Sequence, residues 1–369
     1  MDKRDSPHSM DAVVMINGGL NLVTAPIPTP GSGEVLVKVL ATGICGSDLH
    51  CLAHTSELLA STKAATGIDL FKIDEPVVMG HEFCAEVVEY GPETRGTIPP
   101  GTRVASPGFL LREPVVLLGY GGPDIPGGYA EYMLLSEDLL IRVPDNVPDE
   151  IAALTEPMAV ALHAVNRGDL SPDDVPLVIG CGPIGLAVIA ILKMRGFGPI
   201  VAADFSPSRR AMATALGADV VVDPRETSPY ESWKEVAATS DPTRMGPPNV
   251  MFPPGFRPST VFECVGVPGI IQQILAGAAA NSKVVVVGVC MEQDSFHPTV
   301  AILKEIDLIF SIAFSLEEYA EVLGHLASGA LQAAPLITSR VGLHEVPEAF
   351  ARLADPEKEA KIVVLPAAR

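Results

Sequence analysis

No Cys-x-x-Cys pair occurs in this chain, and its six cysteines, at 45, 51, 84, 181, 264 and 290, are too scattered to frame a disulfide scaffold. Their free state is expected in a reducing compartment, the cytoplasm. Aromatic residues are scarce, at 5% with a single tryptophan, so no stacking series awaits nucleobases. Basic residues are scarce as well: 25 Lys and Arg face 45 Asp and Glu, for a net charge of −20. A field of that sign repels phosphate backbones, which argues against a nucleic-acid partner. The charged opening MDKRDSPHSMDAVV is followed by no apolar segment of signal-peptide type, so no secretory leader is expected. One long apolar run, 175–192, is just long enough to test as a membrane span. Gly180, Gly182, Pro183 and Gly185 divide it into a short strand and a following helix, so it reads as a buried βα unit.

What the chain does contain is 48% hydrophobic and 19% charged residues over a length of 369, the profile of a packed globular protein of about two domains. Up to 150 it is β-rich: GEVLVKVLATGI, AEVVEYG, TRVASPG and AEYMLLS are short runs separated by Gly and Pro clusters. From 149 the spacing of DEIAALTEPMAVALHAV predicts one helix, entered through Pro148, Asp149 and Glu150. From 175 strands and helices alternate, through VPLVIG, PIVAADFS, ADVVVD, STVFECVG and KVVVVGV, which implies a parallel sheet covered by helices on both faces. Six prolines between 242 and 258 predict an irregular loop after a helix at 229–239. One amphipathic helix, LEEYAEVLGHLASG, and a final strand, AKIVVLP, complete the pattern, with no internal repeat.

Gly180, Gly182 and Gly185 form G-x-G-x-x-G directly after a strand and at the start of a helix, with Pro183 and Ile184 inside the turn. The first glycine allows the tight turn, the second the approach of a pyrophosphate, and the third close packing of helix on strand. The helix N-terminus then faces the phosphates. Asp204 ends the next strand, 19 residues after Gly185, where a carboxylate accepts the ribose hydroxyls. It would repel a 2′-phosphate, so NAD is expected over NADP, though Arg209 and Arg210 lie close. Cys181, inside the turn, reads as a small buried side chain.

A second constellation begins in GICGSDLH, a glycine-flanked turn carrying Cys45, Ser47, Asp48 and His50. GHE adds His81 and Glu82, and TEP adds Glu156. Thiolate, imidazole and carboxylate are zinc ligand types, and catalytic zinc sites keep one position open. His54, His297, His325 and His344 read as surface or packing residues, and His163 as a core residue of its helix.

GICGSDLH, GHE, PGGYAEY, EPMAVALHAV, GCGPIGL and the terminal KIVVL together resemble the medium-chain, zinc-dependent alcohol dehydrogenases over essentially the whole chain, in that family's order. Glutamate in TEP makes it more similar to the sorbitol, threonine and butanediol dehydrogenase branch. The resemblance implies an α/β protein of two domains: a GroES-like β-barrel catalytic domain over 1–157, completed by 314–369, and a doubly wound Rossmann NAD-binding domain over 158–313. The active site is expected in the cleft between them. It implies an NAD(P)-dependent oxidoreductase acting on CH–OH donors, in which zinc binds the alcohol oxygen and hydride passes to the nicotinamide. The expected substrate is a secondary alcohol, with a polyol or diol as the alternative. A zinc-free quinone or enone reductase and a non-catalytic relative are the rival readings, which the intact metal and cofactor motifs oppose.

By the same resemblance Cys45 and His81 bind the zinc, with Glu82 and Glu156 as alternating or water-mediated ligands, the choice between them open. Asp48 orients His81, and Ser47 and His50 occupy the proton-relay positions. Val265, Val287, Gly288, Val289, Ile312 and Ala313 fall where the nicotinamide is contacted, and a homodimer or homotetramer is expected. Two stretches depart from the family. Residues 105–128 hold none of the four cysteines of its structural zinc lobe, so one zinc per chain is expected, with Phe109, Leu117 and Tyr120 packing the lobe instead. The interval from Cys45 to His81 is long. Leu110, Leu111 and Val115 to Leu118 suggest an apolar substrate wall suited to a bulky secondary alcohol.

Overall fold

The computed structural model describes residues 9–368, so the opening Met1–His8, part of the stretch read for a secretory leader, lies outside the described residues. A hairpin comes first: β1 (Ser9–Ile16) and β2 (Gly19–Pro26) pair antiparallel across Asn17 and Gly18. Both turn residues have positive φ, 51° and 73°, as a tight two-residue hairpin needs. The long β3 (Glu34–Gly43) runs into α1 (Gly46–Ala53) and α2 (Thr55–Thr66), and the chain returns as β4 (Glu82–Tyr90). Then follow β5 (Arg103–Ala105), a small hairpin of β6 (Phe109–Leu110) and β7 (Val116–Leu117), β8 (Tyr132–Ser136) and β9 (Ile141–Arg142). β3 is the axis of this sheet, antiparallel to β4 on one side and to β8 on the other. Seven of its ten residues are fully or almost fully buried apolar side chains or small residues, which explains why it reads as a nearly continuous apolar run.

The single helix expected from 149 is two. α3 (Asp149–Ala153) stops at Leu154, and α4 (Thr155–Gly168) restarts one residue later. The Thr155 hydroxyl donates to Ala152 O at 2.7 Å, a local bond that competes with the helical ladder. Pro157 lies in the first turn of α4, where its missing N–H costs nothing.

The second half alternates: β10 (Val175–Ile179), α5 (Pro183–Met194), β11 (Val201–Ala203), α6 (Pro207–Leu216), β12 (Val220–Val222) and α7 (Pro229–Ala237). After the proline-rich loop come β13 (Ser259–Glu263), α8 (Ile270–Gly277), β14 (Lys283–Val286), α9 (Pro298–Lys304), β15 (Asp307–Phe310) and α10 (Leu316–Ser328). The sheet is wholly parallel in the order β12-β11-β10-β13-β14-β15, a doubly wound arrangement whose order reverses between β10 and β13. β10 and β13 are buried from end to end because helices cover both faces. The chain ends with β16 (Ile337–Val341), α11 (Val346–Leu353) and β17 (Lys361–Val364), the last of which joins the first sheet antiparallel to β3.

Two compact units result. One runs to Glu156 and includes Ile337–Asp355 and the chain from Lys361; the other comprises Pro157–Leu336 with Pro356–Ala360. The return to the first unit thus comes at 337 and not at 314, because α10 stays with the parallel-sheet unit. Among the described residues no helix is long and apolar enough to cross a membrane.

Candidate active site

GICGSDLH is the start of a helix and not only a turn. β3 ends at Gly43, Cys45 takes an extended conformation (φ −89°, ψ 152°), and α1 begins at Gly46. Asp48, in the first turn of α1, folds back to accept the Cys45 N–H at 3.0 Å through Oδ2. The same oxygen accepts the hydroxyl of Tyr129 at 2.6 Å, and both side chains are fully buried. Asp48 Oδ1 is left facing His81 Nδ1 at 3.6 Å, and neither atom has a hydrogen-bond partner. The two atoms are complementary in charge and face each other across this gap. That other face, Nε2, lies 3.4 Å from Ser47 Oγ, and the ring lies beside the Cys45 thiol.

Charge is concentrated here. Burial pulls the His81 pKa down, but Asp48, Cys45 and Glu156 around it prevail and hold it well above its ordinary value. Burial pushes the Glu156 carboxyl up to about 7; Glu82 and Asp48 add to this, while His81 and Lys361 oppose it. Glu82, by contrast, is committed elsewhere. Lys361 Nζ donates to its Oε1 at 2.7 Å and its Oε2 at 2.9 Å, and also to Ile44 O at 2.9 Å. Both side chains are essentially without solvent. Room for this carboxylate comes from Gly43, where a Cβ would stand 1.9 Å from Glu82 Oε2.

The donor types fit zinc, and the orphaned Asp48–His81 pair is the support a metal-bound histidine requires. Among the described residues, no three His, Cys, Asp or Glu side chains converge closely enough to hold an ion. Of these donor types, Cys45 and His81 lie side by side.

His50 projects from α1, its Nδ1 buried without a partner and its ring edge-on to His54 at 6.4 Å. Burial first, and then His54, lowers its pKa. Tyr120, which the sequence assigned only to packing, stacks on His81 (6.4 Å between centroids, 16° between planes), with Phe71 on its own far face (6.4 Å, 13°). Its hydroxyl lies beside Ser47. Both long departures from the family pattern thus reach the site through an aromatic ring.

The stretch 105–128 differs from expectation in its packing. Leu110 and Leu118 are the buried leucines of the lobe, while Leu117, Leu111 and Val115 are exposed, because β6 and β7 form a hairpin with one face on the core. Arg112 clamps this hairpin to the buried Glu34 with bonds of 2.5 and 2.9 Å. The six residues read as a continuous apolar wall do not form one. His163 is half-buried against Glu318 Oε2 at 2.9 Å and is not a core histidine. Lys361 and Tyr129 were missed. The available signal was a lone lysine inside the apolar strand AKIVVLP.

In the second unit the glycine turn sits at the carboxyl end of β10. Gly180 has φ +90°, and a Cβ on Gly185 would lie 1.9 Å from Gly180 O, so helix and strand meet at a distance only glycine permits. Asp204 accepts the Cys181 N–H at 2.7 Å through one oxygen and the Ser206 N–H at 2.8 Å through the other. Arg209 approaches Gly182, and its Nε is buried without a partner. Val287 is buried, while Val265, Val289 and Ile312 are exposed at the carboxyl edge of the sheet. Gly288 is packed against Gly266 there, and Ala313 takes positive φ, 58°.

Comparison with known proteins agrees with this geometry. Residues 31–145 match the model of the alcohol dehydrogenase GroES-like domain, and residues 183–328 that of the zinc-binding dehydrogenase. The chain is 33% identical to (R,R)-butanediol dehydrogenase of Bacillus subtilis over 92% of its own length and 94% of that protein's. It is 31% identical to sorbitol dehydrogenase of Bos taurus over 93% and 92%. The crystal structure of 2R,3R-butanediol dehydrogenase from Bacillus subtilis superposes with a TM-score of 0.78, at 31% identity, covering 97% of this chain and all of that one. Zinc and a nicotinamide dinucleotide are the cofactors this likeness supports. The chain belongs to the medium-chain, zinc-dependent alcohol dehydrogenases, oxidoreductases acting on CH–OH donors.

Proposed function

We propose that this protein interconverts a secondary alcohol of the diol or polyol kind and its ketone, with NAD as hydride acceptor. The observation that carries the reading is the buried Cys45–His81–Asp48–Tyr129 assembly, with Ser47 against its histidine. Cys45, His81 and Glu156 are the zinc ligands on this reading, since Lys361 occupies both oxygens of Glu82. When bound, zinc supplies Lewis acidity toward the alcohol oxygen and the nicotinamide accepts the hydride.

The chain's own residues do the rest. Asp48, held by Tyr129 and the Cys45 N–H, fixes the ring of His81 so that Nε2 is the ligating atom. Ser47 Oγ takes the hydroxyl proton and passes it toward His50, which burial keeps neutral and able to accept it. Tyr120, beside Ser47, adds a second hydroxyl next to the reacting one, which suits a substrate with a neighbouring oxygen. The bulky apolar alcohol suggested by 110–118 loses its support, because Leu110 and Leu118 are core and their neighbours face solvent. Asp204 favours the NAD ribose, with Arg209 nearby, and Val265, Val287, Gly288, Val289, Ile312 and Ala313 line the nicotinamide end.

β15 is the edge strand of its sheet, with Ile302, Leu303, Phe310 and Leu316 exposed beside it, an edge suited to a second copy of the chain. Sedimentation should show a dimer that Phe310→Lys dissociates, and a monomeric wild type would remove this part. All six cysteines are free, as suits the cytoplasm, which cell fractionation tests. The activity is tested by metal analysis and by NAD reduction over a panel of diols, polyols and simple alcohols. A metal-free chain that reduces enones, or one that oxidises no alcohol, would overturn the reading.

A further inference from the structure

Glu263 is a charged residue with no place in the chemistry described so far. It closes β13, the strand beyond the point where the sheet order reverses, in register with Ile179 of β10 and Val286 of β14. It is 1% exposed, in a strand otherwise made of Ser, Thr, Val and Phe. A charge taken out of water at such cost needs compensation, and here the compensation is all backbone. Its Oε1 accepts the N–H of Val265 at 2.6 Å and of Gly266 at 2.8 Å. Its other oxygen, Oε2, packs against Gly288, where a Cβ would lie 2.7 Å away. Its main-chain oxygen accepts Val287 N and Gly288 N, both at 2.9 Å.

One side chain thus joins the loop after β13 to the loop after β14. The two loops pack backbone on backbone. Gly266 has φ +69°, and a Cβ on it would stand 2.7 Å from Val289 N; one on Gly288 would stand 2.4 Å from Gly266 N. Farther out the loops are joined again, where Asp294 Oδ1 accepts the Gly269 N–H at 2.8 Å. The outcome is a preset rim on which Val265, Val267 and Val289 are exposed, with Val265 against the first glycine of the dinucleotide turn.

We propose that Glu263 is a positioning residue for the dinucleotide, clamping these two loops so that their valines and backbone meet the cofactor without rearrangement. This rests on the dinucleotide reading above. A preset surface avoids the ordering cost that a mobile loop pair would charge to binding. Glu263→Gln keeps the shape but replaces the carboxylate that accepts the Val265 and Gly266 N–H groups with a neutral, weaker acceptor, and sets an NH2 against Gly288, so the junction loosens.

The test is titration of NADH fluorescence on the purified full chain, beside zinc content and the KM values for NAD and for the alcohol. Glu263→Gln should raise the NADH Kd and the KM for NAD about tenfold, leaving zinc content and the alcohol KM unchanged. Gly288→Ala, which strikes the same junction from the other loop, should do likewise, and it decides the matter if Glu263→Gln does not fold. Glu263→Asp, charged but one methylene shorter, should fall between wild type and Gln. A lowered Tm with NADH affinity unchanged in the folded variants would overturn the proposal, reducing Glu263 to a structural residue. Wild-type protein that binds no dinucleotide would instead overturn the cofactor reading on which it rests.

Discussion

Replacing Lys361 with methionine should be among the most damaging single changes the first unit can suffer. The ammonium makes three bonds, at 2.7, 2.9 and 2.9 Å, to the two oxygens of Glu82 and to Ile44 O. Methionine fills much of the same space and makes none of them. Glu82, 0% exposed, would be left as an uncompensated buried carboxylate, with a stranded carbonyl beside it. Breaking such a pair from one side costs about 3–5 kcal/mol, far more than the net worth of keeping it. In a unit of this size that corresponds to a fall of roughly 6–20 °C in Tm. Glu82→Gln should also destabilise, because it strands the lysine, yet the double variant should fall short of the sum of the singles by about 2 kcal/mol. The sign with pH is defined. Burial pulls the Lys361 pKa down, but Glu82, Cys45 and Glu156 raise it above the lysine value. The lysine's contribution is therefore intact at neutral pH and is lost as pH rises through that elevated pKa. Tryptophan fluorescence cannot report this, since Trp233 is the only tryptophan and belongs to the other unit. Native-state hydrogen exchange of the β3 and β4 amides can. Protection in Lys361→Met within about 1 kcal/mol of wild type, or strictly additive variants, would refute the reasoning.

Cys45→Ala and His81→Ala should each strip the metal and reduce turnover at least a thousandfold, on the order of 4 kcal/mol, while NADH still binds; normal alcohol oxidation by a metal-free variant would defeat the zinc mechanism. Asp204→Ser should weaken NAD about tenfold, since it loses both the ribose acceptor and the brace on the Cys181 and Ser206 N–H groups, and NADP should gain relative to NAD in kcat/KM. A wild type that prefers NADP would show this acid to be misread. Elemental analysis should find one zinc per chain, with chelation abolishing activity but leaving the β6–β7 hairpin resistant to protease. In Arg112→Met that hairpin should become cleavable. In wild type it should loosen in acid: burial raises the Glu34 pKa, but the bonds from Arg112 and Gly31 outweigh it and leave the pKa lowered. This stability, present above the ordinary carboxylate range, is lost as pH falls through the lowered value. A hairpin equally resistant at all these pH values would contradict the role given to the ion pair.

What could be read from the chain in advance followed the physics of spacing. The glycine turn, the apolar strands β10, β13 and β14 and the acid at 204 are local patterns, and each element lies where its pattern put it. Residues that depend on distant partners were harder. Nothing within GHE says that Glu82 is claimed by a lysine 279 positions later, or that Gly43 makes room for it. The break at Leu154 depends on a single threonine hydroxyl, which helical periodicity does not register. The lobe at 105–128 was misread in its detail because alternation in a two-stranded hairpin only two residues deep on each side is too short to reveal which face is inward.

That lobe carries a consequence for how the molecule is made. Arg112 and Glu34 arrive with the polypeptide itself, so the hairpin can close and be clamped as soon as the chain through Leu117 is synthesised. A lobe bound by four thiolates would have to wait for an ion, exposing reactive sulfur in the meantime. On the one-zinc reading, folding and metallation are separable in time: the scaffold is completed from its own parts, and zinc is needed only when catalysis begins. A cell short of the metal would accumulate intact, inactive protein ready to be loaded, and not misfolded chains to be destroyed.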